Sequence, residues 1–169
     1  FRPGATLTNY AFMKMLLGAL GYDADIEGYV GDNWSIAVAK RALNIGLTDD
    51  MVEEFVGTDY ATREQACLYA LNTMTADMVQ YDSRTSVTVG GAEVVIAGSK
   101  AEVVKNTSKT DGNIFAEDGE MQFAEKYFTN LSVTKGSDDF ARPANVWKVK
   151  SEKIGTYADK ADVTYTGGV

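Results

Sequence analysis

Residues 62–97 read TREQACLYALNTMTADMVQYDSRTSVTVGGAEVVIA, and the period of their apolar residues changes partway along. Thr62 and Gln65 match the Ser/Thr-x-x-Glu/Gln box, in which each side chain satisfies the other residue's backbone N–H at a helix start. Cys67, Leu71, Met74 and Met78 then form an apolar stripe at helical spacing. After Arg84 the period drops to two. Thr85 to Val89 alternates, Gly90-Gly91 offers a two-residue hairpin turn, and Ala92 to Ala97 resumes. A helix followed by a hairpin predicts an α+β chain. It places the domain boundary near Tyr81 to Arg84, with a helical region over 1–82 and a β-rich domain over 83–169.

Towards the N-terminus the helical period continues. Thr8 precedes a helix over Asn9 to Leu20, whose apolar face is read as Phe12, Leu16, Ala19 and Leu20, with Gly21 as its stop. Tyr22 to Gly31 is rich in turn residues. Asp32 then stands where a cap is expected for a helix from Asn33 to about Asn44, with Trp34, Val38, Ala42 and Ile45 on one face and Gly46 ending it. Thr48 starts a further short helix through Asp49 to Phe55.

Towards the C-terminus, strand-like runs are expected at 130–134, 145–150 and 161–166. Gly98-Ser99, Asp111-Gly112, Asp118-Gly119 and Gly136-Ser137 punctuate the domain as turns. Gly119 to Tyr127 reads equally as a short helix or a strand.

Composition excludes several functions. The 169 residues contain no histidine and one cysteine, Cys67. This removes the commonest general base, any internal disulfide and any cysteine-cluster zinc site. No nucleophile–base–orienter set is present, so no catalytic residue is assigned, and no metal or cofactor is expected. Asp23, Asp25 and Glu27 alternate, but no matching downstream glutamate completes a calcium loop. Asp49, Asp50, Glu53 and Glu54 read as a solvated face. Residues 1–82 carry 5 Lys and Arg against 12 Asp and Glu, and the rest carries 11 against 12. A net of −7 on the first half argues against nucleic acid. No apolar run reaches the roughly 20 residues of a membrane span. Phe1-Arg2-Pro3-Gly4 does not read as a signal peptide, and both ends read as interior to a longer protein.

An offset of 54 residues superposes Phe1 on Phe55, Thr8 on Thr62 and Leu17 on Leu71. Each copy is an aromatic residue, a short turn, a threonine cap and an amphipathic helix. Such a unit cannot bury its apolar face alone and packs on its neighbour.

Residues 1–80 resemble the S-layer homology (SLH) repeat. Tyr29-Val30-Gly31-Asp32-Asn33-Trp34 looks like the repeat's opening, Gly46-Leu47 like its helix exit, and Thr62-Arg63-Glu64-Gln65 like the Thr-Arg-Ala-Glu tetrapeptide that opens its next helix. Phe1-x-Pro3 and Leu7-Thr8-Asn9-Tyr10 look like the tail of a preceding copy. The resemblance implies a secreted, extracellular protein of the Gram-positive cell wall or S-layer, held noncovalently by secondary cell-wall polysaccharide, often pyruvylated. The alternative is a structural or adhesive segment with degenerate repeats, contacting other surface proteins through the β half. Residues 142–147 and 154–157 also resemble segments that follow such repeats in long surface proteins.

The family's acid-clamping arginine maps to Arg63. A guanidinium forks two hydrogen bonds onto a carboxylate, and a helix N-terminus favours an anion. Thr62 and Glu64 flank it. Trp34 reads as a sugar platform or a core residue, Asp32 as a glycan acceptor or a cap, and Gly46 as a site of close ligand approach or a helix stop. Cys67 reads as buried filler on the apolar stripe. Two departures from the pattern stand out. Asn9 occupies the arginine position of the first tetrapeptide, and Phe55-Val56-Gly57 replaces Phe-x-Pro in the second copy.

Overall fold

The Thr8 hydroxyl accepts the N–H of Ala11 at 3.3 Å and starts α1 (Asn9–Leu20), as its sequence pattern requires. The computed structural model describes residues 4–51, 53–81, 85–89, 92–96, 100–138, 140–142 and 144–155; for 85–89 and 92–96 it describes the backbone alone. The chain divides into two compact units, Phe1–Val104 and Lys105–Val169. Helices dominate the first part and short antiparallel strands the second, an α+β chain.

In the first unit, α1 packs against α2 (Trp34–Asn44) and α3 (Arg63–Thr75). Both α1 and α2 end the same way. Gly21, at φ 104°, and Gly46, at φ 74°, turn left-handed past the last helical residue. The next N–H reaches back over the final turn, from Tyr22 to Leu17 O at 3.1 Å and from Leu47 to Ala42 O at 2.9 Å. This double-bonded ending satisfies carbonyls the helix leaves open, and Tyr22 and Leu47 are both buried, as the motif favours. The core is Met13, Leu17, Leu20, Tyr29, Val38, Ala42, Leu47 and Tyr69, each at most 1% exposed. Burying each large side chain among them contributes about 1.5–3 kcal/mol.

Several local expectations are corrected. The buried face of α1 runs through Asn9, Met13, Leu17 and Leu20, while Ala19 is exposed. The face of α3 is Gln65, Tyr69 and Thr73; Leu71 and Cys67 are exposed, and Met78 is buried but lies beyond the helix. The capping box holds Gln65 inward, and Tyr69 lies in the core with Phe12 and Phe55 at ring distances of 6.4 and 6.3 Å. α2 begins one residue later than expected; Asn33 holds the cap position without a side-chain cap bond, and Asp32 sits exposed in the preceding turn. No helix forms over the described residues of 48–55. Turns run on to Asp50, whose φ of 63° is incompatible with continuing one.

Strand β1 (Val79–Gln80) pairs antiparallel with β4 (Glu102–Val103), and Val104 N–H adds a bond to Met78 O at 2.9 Å. Between them lies the expected hairpin, β2 (Thr85–Val89) with β3 (Ala92–Ile96), in a register that pairs Val89 with Ala92; the Gly90-Gly91 turn lies outside the described residues. The β1–β4 pair brings the chain back to the helical unit. The division therefore falls after Val104, whereas the change of period had placed it near 82.

The second unit is built on an antiparallel meander of β5 (Leu131–Thr134), β6 (Val146–Val149) and β7 (Glu152–Gly155). A short helix, α4 (Phe123–Tyr127), settles the ambiguous 119–127 stretch for its second half. Ile114, Ala124, Leu131 and Val133 form the core. The fully buried Glu125 accepts from Asn106 Nδ2 at 2.6 Å and from Ile114 N–H at 3.3 Å. Asp138 closes a tight loop with Arg142. The expected strand at 161–166 lies outside the described residues. Among the described residues no helix is long and apolar enough to cross a membrane.

Candidate functional site

The lead-in segments of α1 and α3 run side by side. Thr8 and Tyr60 form an antiparallel bridge, and Ala61 N–H donates to Leu7 O at 2.9 Å. The first N–H groups of α1 are consumed there, Asn9 N–H by Asp59 O at 2.8 Å and Tyr10 N–H by Gly57 O at 2.9 Å. Asn9 is fully buried, and its Nδ2 donates to Val56 O at 3.0 Å. Gly57 is required at this crossing: a Cβ on it would lie 2.0 Å from the Tyr10 ring. The N-terminus of α1 is therefore closed by protein.

The N-terminus of α3 is different. Its capping box is complete, with Thr62 N–H donating to Gln65 Oε1 at 2.9 Å and Gln65 N–H to Thr62 Oγ1 at 3.2 Å. Among the described residues, the backbone N–H groups of Arg63 and Glu64 make no hydrogen bond, and the Arg63 guanidinium has no hydrogen bond or ion pair. Arg63 is exposed, as are Cys67 and Leu71 one and two turns further along the same line of the helix. Tyr60, just before the cap, is 62% exposed.

On another side of the same helix start lies a cleft of about 400 Å³ between the 50–53 segment and the first turns of α3. Thr62 and Glu64 line it together with Asp50, Met51, Glu53, Gln65 and Leu68. Its three carboxylates face no cation in the lining, so it repels an anion. Arg63, Asp32, Trp34 and Gly46 are not among its lining residues.

The other expected residues are distributed. Trp34 is half-buried, edge-on to Tyr10 at 6.3 Å, with Lys14 Nζ 5.2 Å from its ring centre. Lys14 Nζ also donates to Tyr29 O at 2.6 Å. Gly46 serves the ending of α2, and a Cβ there would lie 2.6 Å from Asp49 Oδ2. Asp23, Asp25 and Glu27 do not converge. Asp23 Oδ1 accepts the N–H groups of Asp25 and Ile26, and Glu27 pairs with Arg41 at 2.6 Å and accepts the Tyr81 hydroxyl at 2.7 Å. Burial, and then the Glu27 charge, raises the Tyr29 phenol to about 12. Among the described residues no group of three or more His, Cys, Asp or Glu is arranged to hold a metal.

Sequence reading missed the cleft role of Asp50 and Glu53, which look solvated because they are, and it missed Tyr60. The signal for Tyr60 was the aromatic residue two positions before the cap. Searches for related proteins returned no matching family model, curated protein or solved structure.

Proposed function

We propose that this chain anchors a secreted protein noncovalently to the Gram-positive cell wall by binding secondary cell-wall polysaccharide, with Arg63 pairing to an acidic substituent such as a pyruvyl carboxylate. The supporting observation is the contrast between two related helix starts. In α1 the arginine position is a buried Asn9 and the first N–H groups are bonded within the chain, whereas in α3 Arg63 and its neighbouring N–H groups stand open to solvent. A free guanidinium beside two unbonded N–H groups is an arrangement that favours a carboxylate. Thr62 holds the helix start, and Tyr60 offers an exposed ring beside it. Trp34 and Gly46 support the scaffold in this reading, and Asp32 stays exposed in the turn before α2. The site is solvated and the chain carries −8 overall, so binding weakens with salt only modestly. The reading places the protein outside the cell, with the wall as its partner and no nucleic acid, cofactor or catalysis.

A second reading, a structural segment of degenerate SLH-like repeats with protein contacts through the β half, is favoured by the closed N-terminus of α1, which leaves one open site.

Cosedimentation with purified wall sacculi separates the two. Binding to sacculi that retain polysaccharide, absent from acid-stripped sacculi and lost in Arg63→Ala, is the expected result. Equal sedimentation of wild type and variant would overturn the role of Arg63, and no binding to either preparation would favour the structural segment.

A further inference from the structure

In the second unit, the end of α4, the turn that follows it and the last residue of β6 line a shallow cleft of about 280 Å³. Leu131, 9% exposed, and Val149 form its apolar side, and Thr129 and Asn130 are its polar residues. Tyr127 and Phe128 stand at its lip, 56% and 50% exposed. Phe123 braces both rings, at 4.7 Å from Tyr127 and 6.5 Å from Phe128.

The lining carries no charged side chain; Lys126 and Lys150 adjoin it in sequence, and Glu152 is the cross-strand partner of the lining residue Val149. Lys126 Nζ lies 5.6 Å from the Tyr127 ring centre. Lys150 follows Val149 directly, and its backbone N–H donates to Asn130 O at 2.9 Å, which fixes it beside the cleft. Lys126 and Lys150 are both exposed, and neither forms an ion pair among the described residues.

We propose that this cleft is a carbohydrate subsite that takes one acidic sugar ring of a polymer. Phe128 and Tyr127 meet the apolar face of the ring, Asn130 and Thr129 its hydroxyls, and Lys126 and Lys150 its carboxylate. A shallow apolar floor with a few polar groups suits a ring-sized ligand. A nucleic acid needs a basic groove that tracks successive phosphates, whereas two lysines beside a single aromatic lip span one ring. The subsite is independent of Arg63 and stands or falls without it.

The test uses the full chain and calorimetric titration with tetragalacturonate, a neutral galactan tetrasaccharide and a ten-nucleotide oligothymidine. Saturable binding of tetragalacturonate is expected, weakened about tenfold in Phe128→Ala and in Lys150→Gln and unchanged in Arg63→Ala. Thermal melts establish that both variants fold, which exposed positions favour. The proposal is overturned by absence of tetragalacturonate binding, by equal binding in wild type and both variants, or by tighter binding of oligothymidine or the neutral tetrasaccharide. It is also overturned if sedimentation shows the wild type self-associating through this lip and Phe128→Ala remaining monomeric.

Discussion

The Asn9 side-chain amide donates to the Val56 carbonyl at 3.0 Å, inside the seam where the lead-ins of α1 and α3 meet. The Asn9 Oδ1 takes no hydrogen bond among the described residues, so Asn9→Ala removes a donor and leaves Val56 O without that partner. The expected cost is about 1–3 kcal/mol in urea unfolding. Asn9→Arg, which writes the tetrapeptide arginine into the first copy, puts a charge at a fully buried position. It is expected to destabilise more than Asn9→Ala and to add no wall binding, measured by the same unfolding curves and by cosedimentation.

Gly57 has no space for a side chain because the Tyr10 ring occupies it. Gly57→Ala is expected to lower stability by about 1–3 kcal/mol. Tyr10→Leu alone loses ring contacts to Trp34 and Phe55. In the double variant the two losses are expected to sum to less than their separate values, since the clash requires both residues. An additive result in the double-mutant cycle would count against the clash.

Acid acts on the second unit through Asp138. Burial raises the carboxyl, but hydrogen bonds from the Arg142 guanidinium and from the N–H groups of Arg142 and Phe140 outweigh it and hold the group below its ordinary range. The folded form thus binds the proton less readily than the unfolded chain. The stabilisation is present above the unfolded carboxyl's range, about pH 4, and is lost as pH falls through the lower folded value. Trp147 lies in β6 of this unit and Trp34 in the other. In a Trp34→Phe background, Trp147 fluorescence is expected to report acid unfolding at a higher pH for Asp138→Asn than for its parent.

Alkali acts on the first unit through its tyrosines. Tyr29 is raised to about 12 by burial first and by the Glu27 charge second, and Tyr81 is raised by burial and by its hydrogen bond to Glu27. The unfolded chain releases these protons from about pH 10, so stability is expected to fall from there towards pH 12. Phenolate absorbance should show a late-titrating fraction that ionises together with unfolding. Glu27→Gln should bring that fraction to lower pH.

Cys67 and Arg63 lie four residues apart on the exposed side of α3. The thiol is expected to react fully with a thiol reagent without denaturant. Arg63→Ala should leave the unfolding midpoint unchanged within about 0.5 kcal/mol, so any lost wall binding reads as lost contact.

The helix boundaries around Thr8, Gly21, Thr62 and Gly46 were legible in the sequence because caps and left-handed glycines act through adjacent residues. The hairpin register was legible for the same reason, being set by a two-residue turn. Helix orientation was not. α3 carries apolar residues on several sides, so the stripe from Cys67 to Met74 was as regular as the face through Tyr69 that the core selects. Nor was the β1–β4 pair, since strands of two residues have no period and their partners lie more than twenty positions apart. At the site, the chemistry of Arg63 was visible, but its freedom was not. The contrast with the closed start of α1 was hidden too, because Asn9, Asp59 and Gly57 meet there from segments roughly fifty residues apart.

The β1–β4 pair carries one more consequence. Because Val79 and Val103 are cross-strand partners, the two strands that flank the β2–β3 hairpin in sequence are held side by side, as two fixed posts. The segment between them can be lengthened, shortened or exchanged without altering the distance the flanking chain must span. A foreign loop or a reporter peptide spliced in place of the β2–β3 hairpin is tolerated so long as the two strands stay paired. The segment is an interchangeable cassette, and the helical unit is its frame.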